Sequence, residues 1–224
     1  MSIVMKTVIL KTEGLSAYGL QTFDIHRRVN HFPTRSAILG LLGAAMGITR
    51  TRHKDLYQLS KNIQVAVQVN QCGEKMEDFH TVQRFRSPQG KIQKNSTKLT
   101  YREYWCDSEY TFAITAAESL ITNIVARVKS PEFTVFQGRK CCPLNRPLFE
   151  SVVSEDNPAN AIKKLGTAGQ IFSDVSAHNQ VAILQVRDLT TQSPRKYAMR
   201  TVYVCGQSLQ SINAKGDFNE STSR

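Results

Sequence analysis

The chain has 224 residues, 41% hydrophobic and 21% charged, with 29 Lys and Arg against 18 Asp and Glu and a formal charge of +11; it is too apolar for a disordered segment and long enough to bury a core without staples. Its longest apolar stretch, residues 37–48, falls short of the ~20 residues a bilayer requires, and Met1-Ser2-Ile3-Val4-Met5-Lys6 carries no secretory pattern, so a soluble cytoplasmic protein is expected. Cys72, Cys106, Cys141, Cys142 and Cys205 are odd in number, include an adjacent pair and form no C-x-x-C, which fits neither a disulfide framework nor a zinc site.

Residues 3–11, rich in Ile, Val and Thr, predict a first strand. Pro33, Thr34 and Ser36 mark the start of a helix over residues 37–46 that Gly47 closes. Gly40, Gly43 and Gly47 share one face of it, a loss of helix propensity that makes sense if a sheet or a nucleic-acid backbone approaches closely. Residues 63–69 and 109–115 alternate as half-buried strands, residues 78–84 and 99–104 lead out to and back from a basic excursion, and residues 117–129 have helical spacing that Pro131 stops. Phe133-Thr134-Val135-Phe136 reads as a fourth core strand. The order predicts an α+β fold: a ferredoxin-like, RRM-like βαββαβ domain over residues 1–140 with a basic β-hairpin thumb at about 83–100. A smaller β-rich subdomain over 141–206, with strands at 181–187 and 196–205, and a polar tail over 207–224 complete the expected organisation.

The charge is concentrated. Residues 27–102 hold 14 cations and four acids, +10 of the +11, so the rest of the chain is nearly neutral. Between Gln83 and Arg102 there are six cations and no acid, interleaved with Phe85 and Tyr101. Such self-repulsion is offset when a polyanion binds, which points to nucleic acid.

Chemical motifs are largely absent. There is no Walker loop, G-x-G-x-x-G, H-E-x-x-H or G-x-S-x-G, and the five histidines are scattered, so no metal, cofactor or acyl-transfer centre is expected. A metal-independent ribonuclease remains a second reading, with His26, His80, Tyr104 or a nearby Lys as acid and base. Groups suited to holding RNA are plentiful. Thr34, Arg35 and Ser36 stand at a helix start that favours phosphate. Arg139 and Lys140 follow Gly138, whose small size lets two cations approach a ligand, and Arg102, Tyr104 and Trp105 join a cation to rings that can stack or pack in the core. Arg27, Arg50, Arg84 and His80 extend this set along the basic segment.

Four collinear motifs, residues 32–44 (FPTRSAILGLLGA), 78–82 (DFHTV), 102–107 (REYWCD) and 138–149 (GRKCCPLNRPLF), closely resemble the CasD family of type I-E CRISPR Cascade subunits, part of the RAMP superfamily. The resemblance implies a non-catalytic subunit that grips the 5′ handle of the CRISPR RNA (crRNA), caps the CasC backbone, and adjoins the CasA large subunit and the target DNA. By motif position it implies handle contacts at Arg35, Ser36 and Arg102, with Phe136, Arg139 and Lys140 nearby, and a thumb that contacts CasC. The family's early loop usually carries Trp where this chain has Tyr18, a smaller ring for stacking. Type I-C relatives process CRISPR precursor RNA, which the ribonuclease reading shares.

Overall fold

A computed structural model describes residues 4–19, 25–87, 89–193 and 196–206; the tail expected over 207–224 lies outside the described residues. The elements in chain order are β1 (Met5–Ser16), β2 (His26–Arg27), α1 (Arg35–Ala45), α2 (His53–Lys61), β3 (Gln64–Gln71), β4 (Glu74–Arg86), β5 (Ile92–Ala117), α3 (Glu118–Lys129), β6 (Phe149–Val153), α4 (Pro158–Lys164), β7 (Gln170–Ser173), β8 (Gln180–Thr190) and β9 (Tyr197–Cys205). The architecture is mixed, with helices packed on a large sheet ordered β6-β1-β5-β3-β7-β9-β8, to which β4 and β2 add by pairing with β5. Every pairing is antiparallel except that of β2 with β5.

Val8, Ile9 and Leu10 of β1 are all fully buried, as an apolar run in a strand covered on both faces should be. On one face Leu39 and Leu42 of α1 and Ile121 and Ile124 of α3 pack with Leu10, Phe112 and Ile114. On the other, Ala159, Ala161 and Ile162 of α4 pack with Ile9, Ala66, Ala113 and Ile171. The helix expected over 37–46 is α1, capped by Thr34, whose side chain accepts from Ala37 N. Of its glycines, Gly43 sits against Leu56 of α2, whereas Gly40 faces open space.

Residues 141–206 contribute β6, α4 and β7 to β9, and these strands pair into the same sheet on both sides of β1, β5 and β3. The stretch expected as a fourth core strand is not one. Phe133 is exposed, Phe136 makes an isolated bridge to Pro143, and β6 takes the place beside β1. The reason lies in backbone hydrogen bonds. Glu132 N and Phe133 N donate to Ala45 O and Ala44 O, supplying partners to carbonyls in the last turn of α1, while Gln137 N donates to Cys142 O and Gln137 O accepts from Ala17 N.

The basic excursion is a long β4–β5 hairpin, in register from Glu74 opposite Cys106 to Arg86 opposite Ile92, with an irregularity at Arg84. Its outer strand is mostly exposed. The returning strand continues as β5 into the centre of the sheet, where its second half lies between β1 and β3. The hairpin is therefore an extension of a central core strand.

Candidate nucleic-acid interface

The root of the hairpin is built from three adjacent strands. β2 pairs in parallel with β5, placing Arg27 beside Arg102, and β4 places Asp78 on the other side of Arg102. Arg139 fastens this corner: its Nη1 donates to Glu103 O at 2.9 Å and its Nη2 to Arg27 O at 3.0 Å. The same guanidinium lies 4.8 Å from the centre of the Tyr104 ring. Gly138 makes this approach possible. It has φ +85°, and a Cβ there would lie 2.1 Å from Ala17 O, so no other residue fits without shifting backbone.

Arg102 is half-buried, and its Nε is shielded from solvent with no hydrogen-bond partner among the described residues. An unsatisfied buried donor costs free energy that a bound acceptor recovers. Lys140 is exposed on the turn after Arg139. Tyr104 is buried, its phenol 3.6 Å from Cys141 Sγ and pushed upward in pKa chiefly by burial. It supports Arg139 from beneath and offers no free ring. Trp105 is also a packing residue, its Nε1 donating to Asn30 O at 2.9 Å. His80 on β4 is half-buried with Nε2 2.6 Å from Asp78 Oδ2. The structure thus brings together Arg27, Arg102, Tyr104 and Arg139, with Lys140 adjoining and His80 two residues along β4 from Asp78.

The other expected residues lie elsewhere. Tyr18 is buried and meets Tyr110 edge-on at 5.5 Å, which leaves it no accessible face for a base; burial pushes its phenol far above the ordinary value. Arg35 is likewise internal. Its guanidinium donates to Asp174 Oδ2 at 2.6 Å, to Ile63 O at 3.1 Å and to Ser60 O. Asp174 also pairs with Arg200, which grips Asp188 through Nε and Nη2. Burial opposes these charges, lowering the pKa of Arg35 and raising that of Asp174 against their mutual attraction. The expected phosphate seat at the start of α1 is filled as well, since Arg35 N donates to Asp188 Oδ2 at 2.7 Å. A carboxylate of the same chain takes the position where an anion was expected.

Ser36 borders two grooves between α1 and the β8–β9 hairpin. One, of about 600 Å³, is lined by Phe32, Leu184 and Tyr197 among others. The second, of about 950 Å³, contains Gly40, Arg50, His53 and Lys196. Arg84 sits exposed at the irregularity on the outer half of the hairpin with φ +52°. Phe136 is half-buried beside Pro143.

Sequence reasoning passed over an aromatic row on the opposite face of the hairpin from Arg102. His26, Tyr101 and Phe79 occupy neighbouring positions on β2, β5 and β4. His26 and Tyr101 stack at 4.6 Å with planes 9° apart, and Phe79 lies 5.4 Å from Tyr101. The signal was the pairing of Asp78 with Arg102, which puts Phe79 opposite Tyr101 once the hairpin register is known.

Among the described residues no cluster of His, Cys, Asp and Glu could hold a metal ion, and no helix is long and apolar enough to cross a membrane.

A family model described as CRISPR-associated protein (Cas_Cas5) matches residues 7–203. CRISPR system Cascade subunit CasD of Escherichia coli (strain K12) is 33% identical over 213 residues, covering 88% of this chain and 94% of that protein. A solved structure described as a CRISPR RNA-guided surveillance complex contains a chain with a TM-score of 0.67 and 19% identity over 88% of both chains. Another, described as the crystal structure of a Cas protein, gives 0.65 and 21% over 88% of this chain and 93% of that one. At these identities the structural likeness speaks for the fold alone. The CasD resemblance carried by the four motifs holds over nearly the whole chain, and the chain belongs to the Cas_Cas5 family of CRISPR-associated proteins.

Proposed function

We propose that this chain is a non-catalytic RNA-binding subunit of a Cascade surveillance complex, gripping the 5′ handle of the crRNA and capping the CasC backbone beside CasA, near the target DNA. The observation that carries the reading is the corner where Arg27 and Arg102 lie side by side, held by Arg139, at the root of a hairpin with six cations and no acid between Phe79 and Arg102. Phosphate contacts at that corner set position, and the hairpin supplies a field that draws single-stranded RNA along it. Similarity to a protein named as a Cascade subunit supports the assembly role. We also read β1, α1, β3, β5, α3 and β6 as a ferredoxin-like unit, which the antiparallel order β6-β1-β5-β3 supports.

The rival ribonuclease reading has one observation in its favour, the half-buried His80 imidazole beside Asp78. One experiment separates the two. Purified chain is incubated with repeat RNA in EDTA, and the RNA is examined for both binding and cleavage. The binding role predicts intact RNA retained in preference to a scrambled handle. A single discrete product, lost in His80→Ala, would establish the nuclease instead, and equal affinity for both RNAs would remove handle recognition.

A further inference from the structure

We propose that His26, Tyr101 and Phe79 form a stacking platform for unpaired bases of single-stranded RNA, an inference that rests on the RNA-binding reading and assigns its base-contacting surface. The row is fixed by backbone register: His26 is paired with Tyr101 across β2 and β5, and Tyr101 with Phe79 across β5 and β4. Three rings on adjacent strands therefore face the same side of the hairpin without depending on a long side chain's rotamer.

Exposure is the second argument. Phe79 is 53% exposed and the His26 side chain 50%, although both already touch Tyr101. Leu99 and Ile25, each 43% exposed, border the row. Leu99 follows Tyr101 along the same face, and Ile25 O accepts from Tyr101 N at 3.0 Å. A contiguous apolar surface of this kind on an otherwise charged hairpin marks a binding site.

Charge decides the occupant. The aromatic row is followed by a stretch in which every charged residue from Phe79 to Arg102 is a cation, and Arg27 and Arg28 follow His26. Among the described residues, Glu77 lies beside the row, 3.7 Å from His26 Nδ1 at the end toward the hairpin root. Rings among cations meet what single-stranded RNA presents, π faces spaced along a phosphate backbone. An apolar protein surface would not require the cations. The cationic corner of Arg27 and Arg102 and the aromatic row are thus on alternate faces of one hairpin root, the first suited to phosphates and the second to bases.

The test measures binding of a short labelled single-stranded RNA to the full-length chain across a range of salt. Phe79→Ala and Tyr101→Ala are each expected to weaken binding roughly tenfold while leaving the slope against salt as in the wild type, because a stacked base is lost and no phosphate contact is removed. Phe79→Leu keeps apolar bulk without a ring and is expected to bind as weakly as Phe79→Ala, whereas Phe79→Tyr and Tyr101→Phe retain wild-type affinity. Wild-type affinity in Phe79→Leu overturns the platform, as does a change in salt slope in either alanine variant. RNA affinity unchanged with loss of assembly onto partner subunits assigns the row to a protein contact and overturns it too. A wild-type chain that fails to bind RNA defeats the RNA-binding reading itself, a result distinct from the variant outcomes.

Discussion

Arg35 shows how far a residue's role depends on what surrounds it. In the sequence it is a cation at a helix start, a natural phosphate ligand. In the structure it is 4% exposed and tied to Asp174, Ser60 and Ile63, while Asp174 and Asp188 share Arg200. This network joins the start of α1 to the strands β7, β8 and β9. Buried ion pairs repay their desolvation poorly, but removing one partner leaves the rest uncompensated. Arg35→Ala is therefore expected to destabilise the fold by about 3 kcal/mol or more, read as a lower urea midpoint with an unchanged m value. Its RNA affinity per folded molecule should match the wild type. Unchanged stability with weakened RNA binding would return Arg35 to the interface.

At the scale of elements, the turn at Gly138 shapes the candidate interface, because it lets Arg139 reach Glu103 and Arg27. Gly138→Ala combines a left-handed φ with a clash against the Ala17 carbonyl, and is expected to cost upward of about 1 kcal/mol. The melting temperature should fall, and RNA affinity should fall with it as Arg139 is displaced. An alanine variant with wild-type stability and affinity would show that the close approach to Ala17 is dispensable.

Elements with strong periodicity and clear ends were legible in the sequence: α1 through Thr34 and its apolar spacing, α3 through its apolar spacing and Pro131, and β1 and β3 through their apolar residues. Others carried too little signal. α4 is seven residues long, and its start was marked only by the Asn157 cap and Pro158. The two residues of β2 owe their strand conformation to β5. The unbroken run of β5 through Asp107 at φ +54° could not be seen in composition. Residues 133–136 have strand composition, but their neighbours' backbone groups are recruited by α1 and by the Gln137 turn. The candidate site was partly legible for the same reason. Arg102 and Arg139 were identifiable from local motif, whereas the burial of Tyr18 and Arg35 and the row of His26, Tyr101 and Phe79 depend on long-range pairing.

Across the whole molecule, charge and structure divide the labour. A sheet covered by helices holds one long hairpin whose returning strand is the central strand of that sheet, and the hairpin carries six cations and no acid between Phe79 and Arg102. A hairpin anchored in this way keeps its cations and rings in fixed register, so the proposed RNA binding would cost less ordering entropy. The core does not depend on the outer half of the hairpin, which makes few buried contacts. Electrostatic grip of RNA by a preformed basic surface would weaken steeply as salt is raised.

The decisive measurement is the affinity of the full-length chain for single-stranded RNA as a function of salt, for the wild type and for Arg27→Ala combined with Arg102→Ala. These two positions are chosen because Arg139 also holds the corner together through Glu103 and Arg27. The log–log slope for the wild type should reflect several phosphates at about −0.7 each, and the double variant should be shallower by about 1.4, with its melting temperature unchanged. A wild-type affinity insensitive to salt, or a double variant with the wild-type slope, would contradict it.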